Sequence, residues 1–355
     1  MKTNRIMKFV FPVLVFVLTS AYFSCDNPTG PIEDTPGRRD YTWTVDTLNI
    51  EYPAYKIWGS SPSDVWSINT SPDLSHSFWL YDGNKWSTDG VFRLISPHAL
   101  FGFARNNVFA GGDTDGRIWH FDGNSWEQIA VLTKPGTRFV GLENIWGESA
   151  NDFYAVGAGP DDKDYANFSV IAHFTNNEWD MLNTDSLIGN VVHLYKNKPD
   201  NKIYLRLTKI GGTEFIDSTI VYEYNQGKYT ELYGNIESIG LQCDISLING
   251  EVYFILGNRI AKRVNDQFQT VLQVNNPKFY QRIWGRNSND IFLLMTDGLA
   301  HYNGSDVEYL FHFTYPDDKP STQIFGAAIF EKEAFFTVYE PPTHLKLIYH
   351  GKLKN

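Results

Sequence analysis

The sequence predicts an all-β chain folded as one β-propeller, most simply of seven four-stranded blades, on three observations. Short β-branched and aromatic runs alternate with Gly, Asn, Asp and Pro clusters, and no long amphipathic helical pattern interrupts them. A small or branched residue followed by an aromatic recurs seven times, at Val65-Trp66, Val108-Phe109, Phe153-Tyr154, Ile203-Tyr204, Val252-Tyr253, Ile291-Phe292 and Ala334-Phe335. The aromatics, or second residues, are 43, 45, 50, 49, 39 and 43 residues apart, a period that suits a four-stranded blade. The seventh unit reaches Asn355 before a fourth strand can form, so that strand must come from elsewhere.

The elements follow in chain order. Lys2, Arg5 and Lys8 give a basic start, residues 9–18 are nearly all apolar, and Ser24 precedes Cys25. The apolar run contains Pro12 and is shorter than the roughly 20 residues a spanning helix needs, so residues 1–24 read as a cleaved signal peptide. Ser24-Cys25 resembles a bacterial lipobox, although Tyr22 and Phe23 stand where a Leu and a small residue are usual. The resemblance implies a lipidated Cys25, and two or more acyl chains suffice for stable anchoring. The expected location is the cell envelope, at the outer membrane. Residues 25–40, rich in Pro, Gly and charge, read as a flexible tether, and residues 41–355 as the propeller. Tyr41-Thr42-Trp43-Thr44-Val45-Asp46-Thr47-Leu48 alternates at period two and has no unit of its own. It is predicted to supply the outer strand of the last blade, closing the ring and removing an exposed edge.

Four units open on an apolar-aromatic-Gly triplet, Ile57-Trp58-Gly59, Leu100-Phe101-Gly102, Ile145-Trp146-Gly147 and Ile283-Trp284-Gly285, and Ile324-Phe325-Gly326 repeats it at a slightly longer spacing. Third and fourth strands flank polar turns such as Tyr81-Asp82-Gly83 to Trp86 and Phe121-Asp122-Gly123 to Trp126. The strings Ile57-Trp58-Gly59-Ser60-Ser61-Pro62-Ser63-Asp64-Val65-Trp66 and Tyr81-Asp82-Gly83-Asn84-Lys85-Trp86 resemble repeats of secreted bacterial propeller proteins over residues 53–355. The resemblance implies fold and export and no reaction. Asp-Gly-x-x-Trp is distantly similar to the Asp box of sialidase-type propellers, which is itself a structural hairpin.

The chain carries a net charge of −11, and removal of residues 1–24, with three basic and no acidic residues, leaves −14. Nucleic acid and bare anionic membrane are poor partners for such a surface. Cys243 is the only cysteine besides Cys25, so an acylated Cys25 leaves no intramolecular disulfide. Trp58, Trp146 and Trp284 share one unit position and Trp86, Trp126 and Trp179 another, which predicts packing rather than sugar stacking. Asp64, Asp152 and Asp290, with Asn107, precede the second strand and are expected to bond their own turns. His120, His173, His301 and His350 recur near the third-strand turn without zinc spacing, and no phosphate loop or nucleophile elbow is present.

Length variation falls on the connections between second and third strands and between blades, which leave a propeller on one face. That face is the expected binding surface. Asp113, Asp115, Asp161, Asp162, Asp164 and Tyr165 on its loops are the candidate partner residues, and a hard cation such as Ca²⁺ would relieve the repulsion among those carboxylates. No other cofactor and no catalytic residue is expected. The function this supports is a non-catalytic envelope lipoprotein binding a protein or glycan partner. The alternative is a glycan-active enzyme, sialidase-like or another glycoside hydrolase, with carboxyls about 5 to 9 Å apart in the channel mouth.

Overall fold

The middle of the second strand is buried in every unit because neighbouring blades cover both its faces. Val65, Val108, Phe153, Val252, Ile291 and Ala334 are fully enclosed there. The computed structural model describes residues 36–70, 74–161, 163, 167–209, 218–236, 243–314 and 322–355. Seven four-stranded antiparallel sheets make seven blades. Among the described residues the only helical turn is the 3₁₀ segment Leu74–His76.

Six blades use four consecutive strands each, and the seventh is ordered Tyr41–Thr47, Leu345–Leu353, Glu333–Glu340, Gln323–Ile329. The register runs from Tyr41 opposite Leu353 to Thr47 opposite Leu347, so the ring is closed by the strand expected to close it. Tyr41 and Trp43 also reach the sixth blade, with the Trp43 ring 4.9 Å from Phe311 and Tyr41 6.0 Å from Phe292. The strand therefore seals a blade and an interface together, which removes an exposed edge.

The core is a series of wedges between blades. Trp58 of blade 1 lies with Leu100, Val108 and Trp126 of blade 2, and a Cβ on Gly102 would sit 2.5 Å from the Trp58 ring, so only glycine fits the triplet there. Trp126 stacks at 4.4 Å on Phe78 of blade 1, and Trp179 meets Phe153 edge-on. The recurrent tryptophans thus pack as their positions imply. Each large aromatic side chain enclosed this way contributes about 1.5–3 kcal/mol.

Two sequence expectations are corrected. Asn107, Asp152 and Asp290 do not bond their own turns. Their side chains meet His120, His173 and His301 on the third strand at 2.9, 2.7 and 2.8 Å, and Glu333 meets His350 at 2.6 Å. Each imidazole also faces the ring two residues on from its acid or amide, as Tyr154 on His173 at 4.1 Å and Phe335 on His350 at 3.7 Å. In blade 5 the pair is Glu251 with Lys262. The recurring histidines are accounted for by this cross-strand contact. Asp64 instead pairs with the Ser60 hydroxyl.

The triplet Ile324-Phe325-Gly326 is also misaligned with the others. Ala328 stands opposite Phe335 as Trp58 stands opposite Trp66, so Ala327 and Ala328 occupy the Ile-Trp places and Phe325 lies two residues ahead of them.

The expected signal peptide, Cys25 and tether residues 25–35 lie outside the described residues. Gly37 donates its amide to the Asn289 carbonyl at 2.8 Å, and Arg39 reaches the His301 and Asp306 carbonyls and the Asp306 and Glu308 carboxylates. Asn289 and Asp306 belong to the short turns of blade 6, so the chain enters the propeller on the short-turn face.

Candidate functional site

Inner strands begin on the face opposite those short turns. The seven are Ala54–Ser61, Pro97–Ala104, Gly141–Ser149, Asn190–Asn197, Cys243–Ile248, Phe279–Asn287 and Gln323–Ile329. Backbone bonds tie the two kinds of variable loop together on that face: Asp113 N to Ser96 O, Gly116 N to Val140 O and Arg138 N to Pro160 O.

Six of the seven inner strands carry a β-bulge at the same height. The extra residue is Tyr55, His98, Glu143, Val192 or Phe325 in turn, and residues 280–282 together face Leu294 in blade 6. A bulge bends its strand and re-aims the side chain, and here it makes a belt across blades 7, 1, 2 and 3. The Phe325 ring lies edge-on to Tyr55 at 5.3 Å, Tyr55 stacks on His98 at 4.6 Å, and His98 Nε2 is 3.4 Å from Glu143 Oε2. Asn190 Nδ2 of blade 4 donates to Glu143 Oε1 at 2.9 Å.

One residue deeper, the register aligns Lys56, Ala99, Asn144, His193, Asp244, Arg282 and Gly326, one from each blade. All of these but Ala99 line the mouth of the central channel, a cavity of about 290 Å³ whose deeper wall includes Trp58, Trp146 and Trp284. His193 donates through Nδ1 to Asp244 Oδ1 at 2.9 Å, Arg282 Nε lies 3.6 Å from Asp244 Oδ2, and Arg206 stands opposite His193 on the second strand.

Charge in this cavity is held in a fixed arrangement. Burial alone would raise the Asp244 pKa, but His193, Arg206 and Arg282 outweigh it and hold the carboxyl far below the usual range. Burial likewise opposes ionisation of Glu143, and His98, Lys56 and Asn190 overcome it. Burial pushes His98, His193 and Lys56 down. Both carboxyl groups are therefore ionised, whereas a glycosidase of the acid/base type needs one of its pair protonated.

Of the residues singled out in the sequence, Asp113 and Asp115 sit on the same face. Asp115 accepts from the Arg117 amide at 3.0 Å and from its guanidinium at 2.7 Å, and the same guanidinium donates to the Leu94 carbonyl at 2.9 Å. Asp113 accepts from Thr114 at 3.1 Å. Asp161 accepts the Lys163 amide at 3.0 Å, closing a small turn, while Asp162, Asp164 and Tyr165 lie outside the described residues. Among the described residues no group of three His, Cys, Asp or Glu could hold a metal ion. Burial raises the thiol of the free Cys243 to about 11, which leaves it unreactive.

Residues 88–96, between blades 1 and 2, present an apolar tip on this face, with Phe92 66% exposed, Leu94 55% and Val91 49%. The tip is built rigidly. Arg93, buried, forks onto Asp89 and lies over the Phe78 ring, and the Asp89 side chain accepts the Val91 amide at 3.0 Å. Between blades 7 and 1 on the same face, Tyr52, Tyr55, Phe325, Tyr339 and His344 line a second cleft of about 550 Å³.

No protein-family model and no curated protein sequence matches the chain. Solved structures do match its fold. A YCF48 structure described as bound to a D1 peptide is 15% identical, with a TM-score of 0.58, over 92% of this chain and all of that one. YCF48 from Cyanidioschyzon merolae is 11% identical, with a TM-score of 0.56, over 87% of this chain and 98% of its own. The extracellular domain of the one-component system BT4673 from B. thetaiotaomicron is 12% identical, with a TM-score of 0.54, over 86% of this chain and 39% of that one. At such identities the likeness is one of fold, a repeat β-propeller.

Proposed function

We propose that the chain is a non-catalytic binding module of the bacterial cell envelope, anchored through a lipidated Cys25, that holds a protein partner on the channel-mouth face. The observation that carries this is the braced tip Val91, Phe92 and Leu94. A fold needing only stability gains nothing from presenting three large apolar side chains to water, and the pairing of buried Arg93 with Asp89 beneath them suits pre-organised anchors for an interface. Tyr52 and Ile188 are further exposed apolar residues on this face, and the exposed apolar residues beside the short turns of the opposite face, Val264 and Val307, stand singly and are less exposed than Val91, Phe92 or Leu94.

Two further points favour a protein over a glycan or a membrane surface. A YCF48 propeller of similar fold is described as bound to a peptide. The chain also enters the propeller on the short-turn face, so the channel mouth is the face farther from the point where a tether would join. The glycoside hydrolase reading is disfavoured by two ionised carboxylates, Glu143 and Asp244, with no protonated acid beside them.

The test is capture from envelope extracts by the mature protein and by a Phe92→Ser, Leu94→Ser variant. Loss of a defined partner with unchanged unfolding temperature is expected. Equal capture by the variant would overturn the assignment of this face.

A further inference from the structure

We propose that the channel mouth is a binding site for a carboxylate group, taken up between the Lys56 ammonium and the Arg282 guanidinium. The inference rests on hydrogen-bonding capacity as well as charge. The two carboxylates at the mouth already accept hydrogen bonds, Asp244 Oδ1 from His193 Nδ1 and the Ile245 amide, both at 2.9 Å, and Glu143 Oε1 from Asn190, while Asn144 Oδ1 is a buried acceptor without one. The two cationic side chains have no such partner. Among the described residues neither Lys56 nor Arg282 makes a hydrogen bond to a protein group, and Arg282 Nε is buried without a partner, facing Asp244 only at 3.6 Å. An ammonium has three donors and a guanidinium five, and neither can accept. The group that complements them is acceptor-only, planar and anionic.

Charge agrees with that capacity. Three basic side chains, Lys56, Arg206 and Arg282, stand against two carboxylates, Glu143 and Asp244, at the centre of a chain whose net charge is −11. A free cationic site on an acidic protein is not a by-product of composition. The cavity, about 290 Å³, admits a carboxylate with a few carbon atoms behind it, and the indole rings of Trp58, Trp146 and Trp284 line its deeper wall. A short aliphatic carboxylate suits this cavity, because the Arg282 fork can take two oxygens of one anion while the carbon chain lies against the indole rings.

The carboxylate can come from a small organic acid or from a peptide, as a chain terminus or an acidic side chain. The site lies on the face assigned above to a protein partner, so the peptide source rests on that reading, while the carboxylate chemistry does not. Calorimetry on the mature protein with acetate, glutarate, acetyl-Ala-Ala-Ala free acid, its C-terminal amide and acetyl-Ala-Glu-Ala amide separates the sources. The result expected is binding of acids and not of the tri-alanine amide. Glutarate alone marks a small-acid site, the free-acid tripeptide a chain terminus, and the glutamate peptide a side chain. Lys56→Met should weaken the best probe at least tenfold while Lys56→Arg retains it, each checked for native near-ultraviolet circular dichroism. No binding of any acid by the parent protein, equal binding of acid and amide, or parent-like binding by Lys56→Met would overturn the proposal. Because these probes need no partner, acid binding that persists in the Phe92→Ser, Leu94→Ser variant leaves the site standing even where partner capture fails to respond.

Discussion

His193 on the inner strand of blade 4 donates through Nδ1 to the Asp244 carboxylate on the inner strand of blade 5, 2.9 Å away and 51 residues on in sequence. The inner strand of blade 5 pairs without a bulge over its described residues, and Asp244 is the point on which His193, Arg206 and Arg282 converge. With Arg282 of blade 6 3.6 Å from the same carboxylate, the cluster joins three blades through one enclosed group.

Replacing Asp244 with Asn should destabilise the fold by about 3–5 kcal/mol, because removing one member of a buried ionic cluster leaves the others uncompensated. Chemical unfolding of parent and variant measures it. A loss under about 1 kcal/mol would mean that water in the channel, and not Asp244, balances the two arginines.

Acidification should destabilise the protein in two stages. His98, His120, His193 and His350 are pushed below their ordinary value by burial, so they are neutral when folded, and the unfolded chain binds more protons near pH 6.5 and below. Their contribution is complete above about pH 6.5 and is lost as pH falls through it, by at most about 1.4 kcal/mol per pH unit for each proton taken up on unfolding. Asp89, Asp244 and Asp290 are held below the usual carboxylate range. Their contribution survives until pH falls through about 4. Melting temperatures from pH 8 to 3 should fall in both windows, and a flat profile between pH 7 and 5 would contradict the first.

Deleting residues 41–49 should open the ring between blades 6, 7 and 1. It removes seven register pairs with Leu345–Leu353 and the Trp43 contact to Phe311, leaving an unpaired edge that invites association. Loss of cooperative unfolding and growth of oligomers in light scattering are expected, and a monomer as stable as the parent would contradict closure by this strand.

Cys25→Ser should move the protein from the membrane to the soluble fraction of cell extracts. Continued membrane association of that variant would remove the lipid anchor from the account.

The fold was legible in the sequence because its signals repeat. The aromatic on the second strand recurs at a blade's spacing, and a seventh unit one strand short pointed to 41–48 as the missing strand. The mouth was not legible, because its residues do not repeat: Lys56, Ala99, Asn144, His193, Asp244, Arg282 and Gly326 share a place and nothing else. A residue that faces the channel is released from blade packing, so each blade can differ there. Reading the position just before each apolar-aromatic pair would have assembled most of this column, although Gly326 was hidden by the misaligned Ile324-Phe325-Gly326. The loop carboxylates drew notice by number instead. Asp115 is tied through Arg117 to the Leu94 carbonyl, so it braces the apolar tip, and that tip was passed over because isolated exposed apolar residues are ordinary on a protein surface.

The most direct test of the binding face is a pair of photo-cross-linking residues placed in the mature protein and activated in intact cells, one at Phe92 on the channel-mouth face and one at Asn84 in a short turn of the opposite face. Both positions are exposed. The account predicts a discrete adduct from position 92 and none from position 84. An adduct from position 84 alone, or none from position 92, would contradict it.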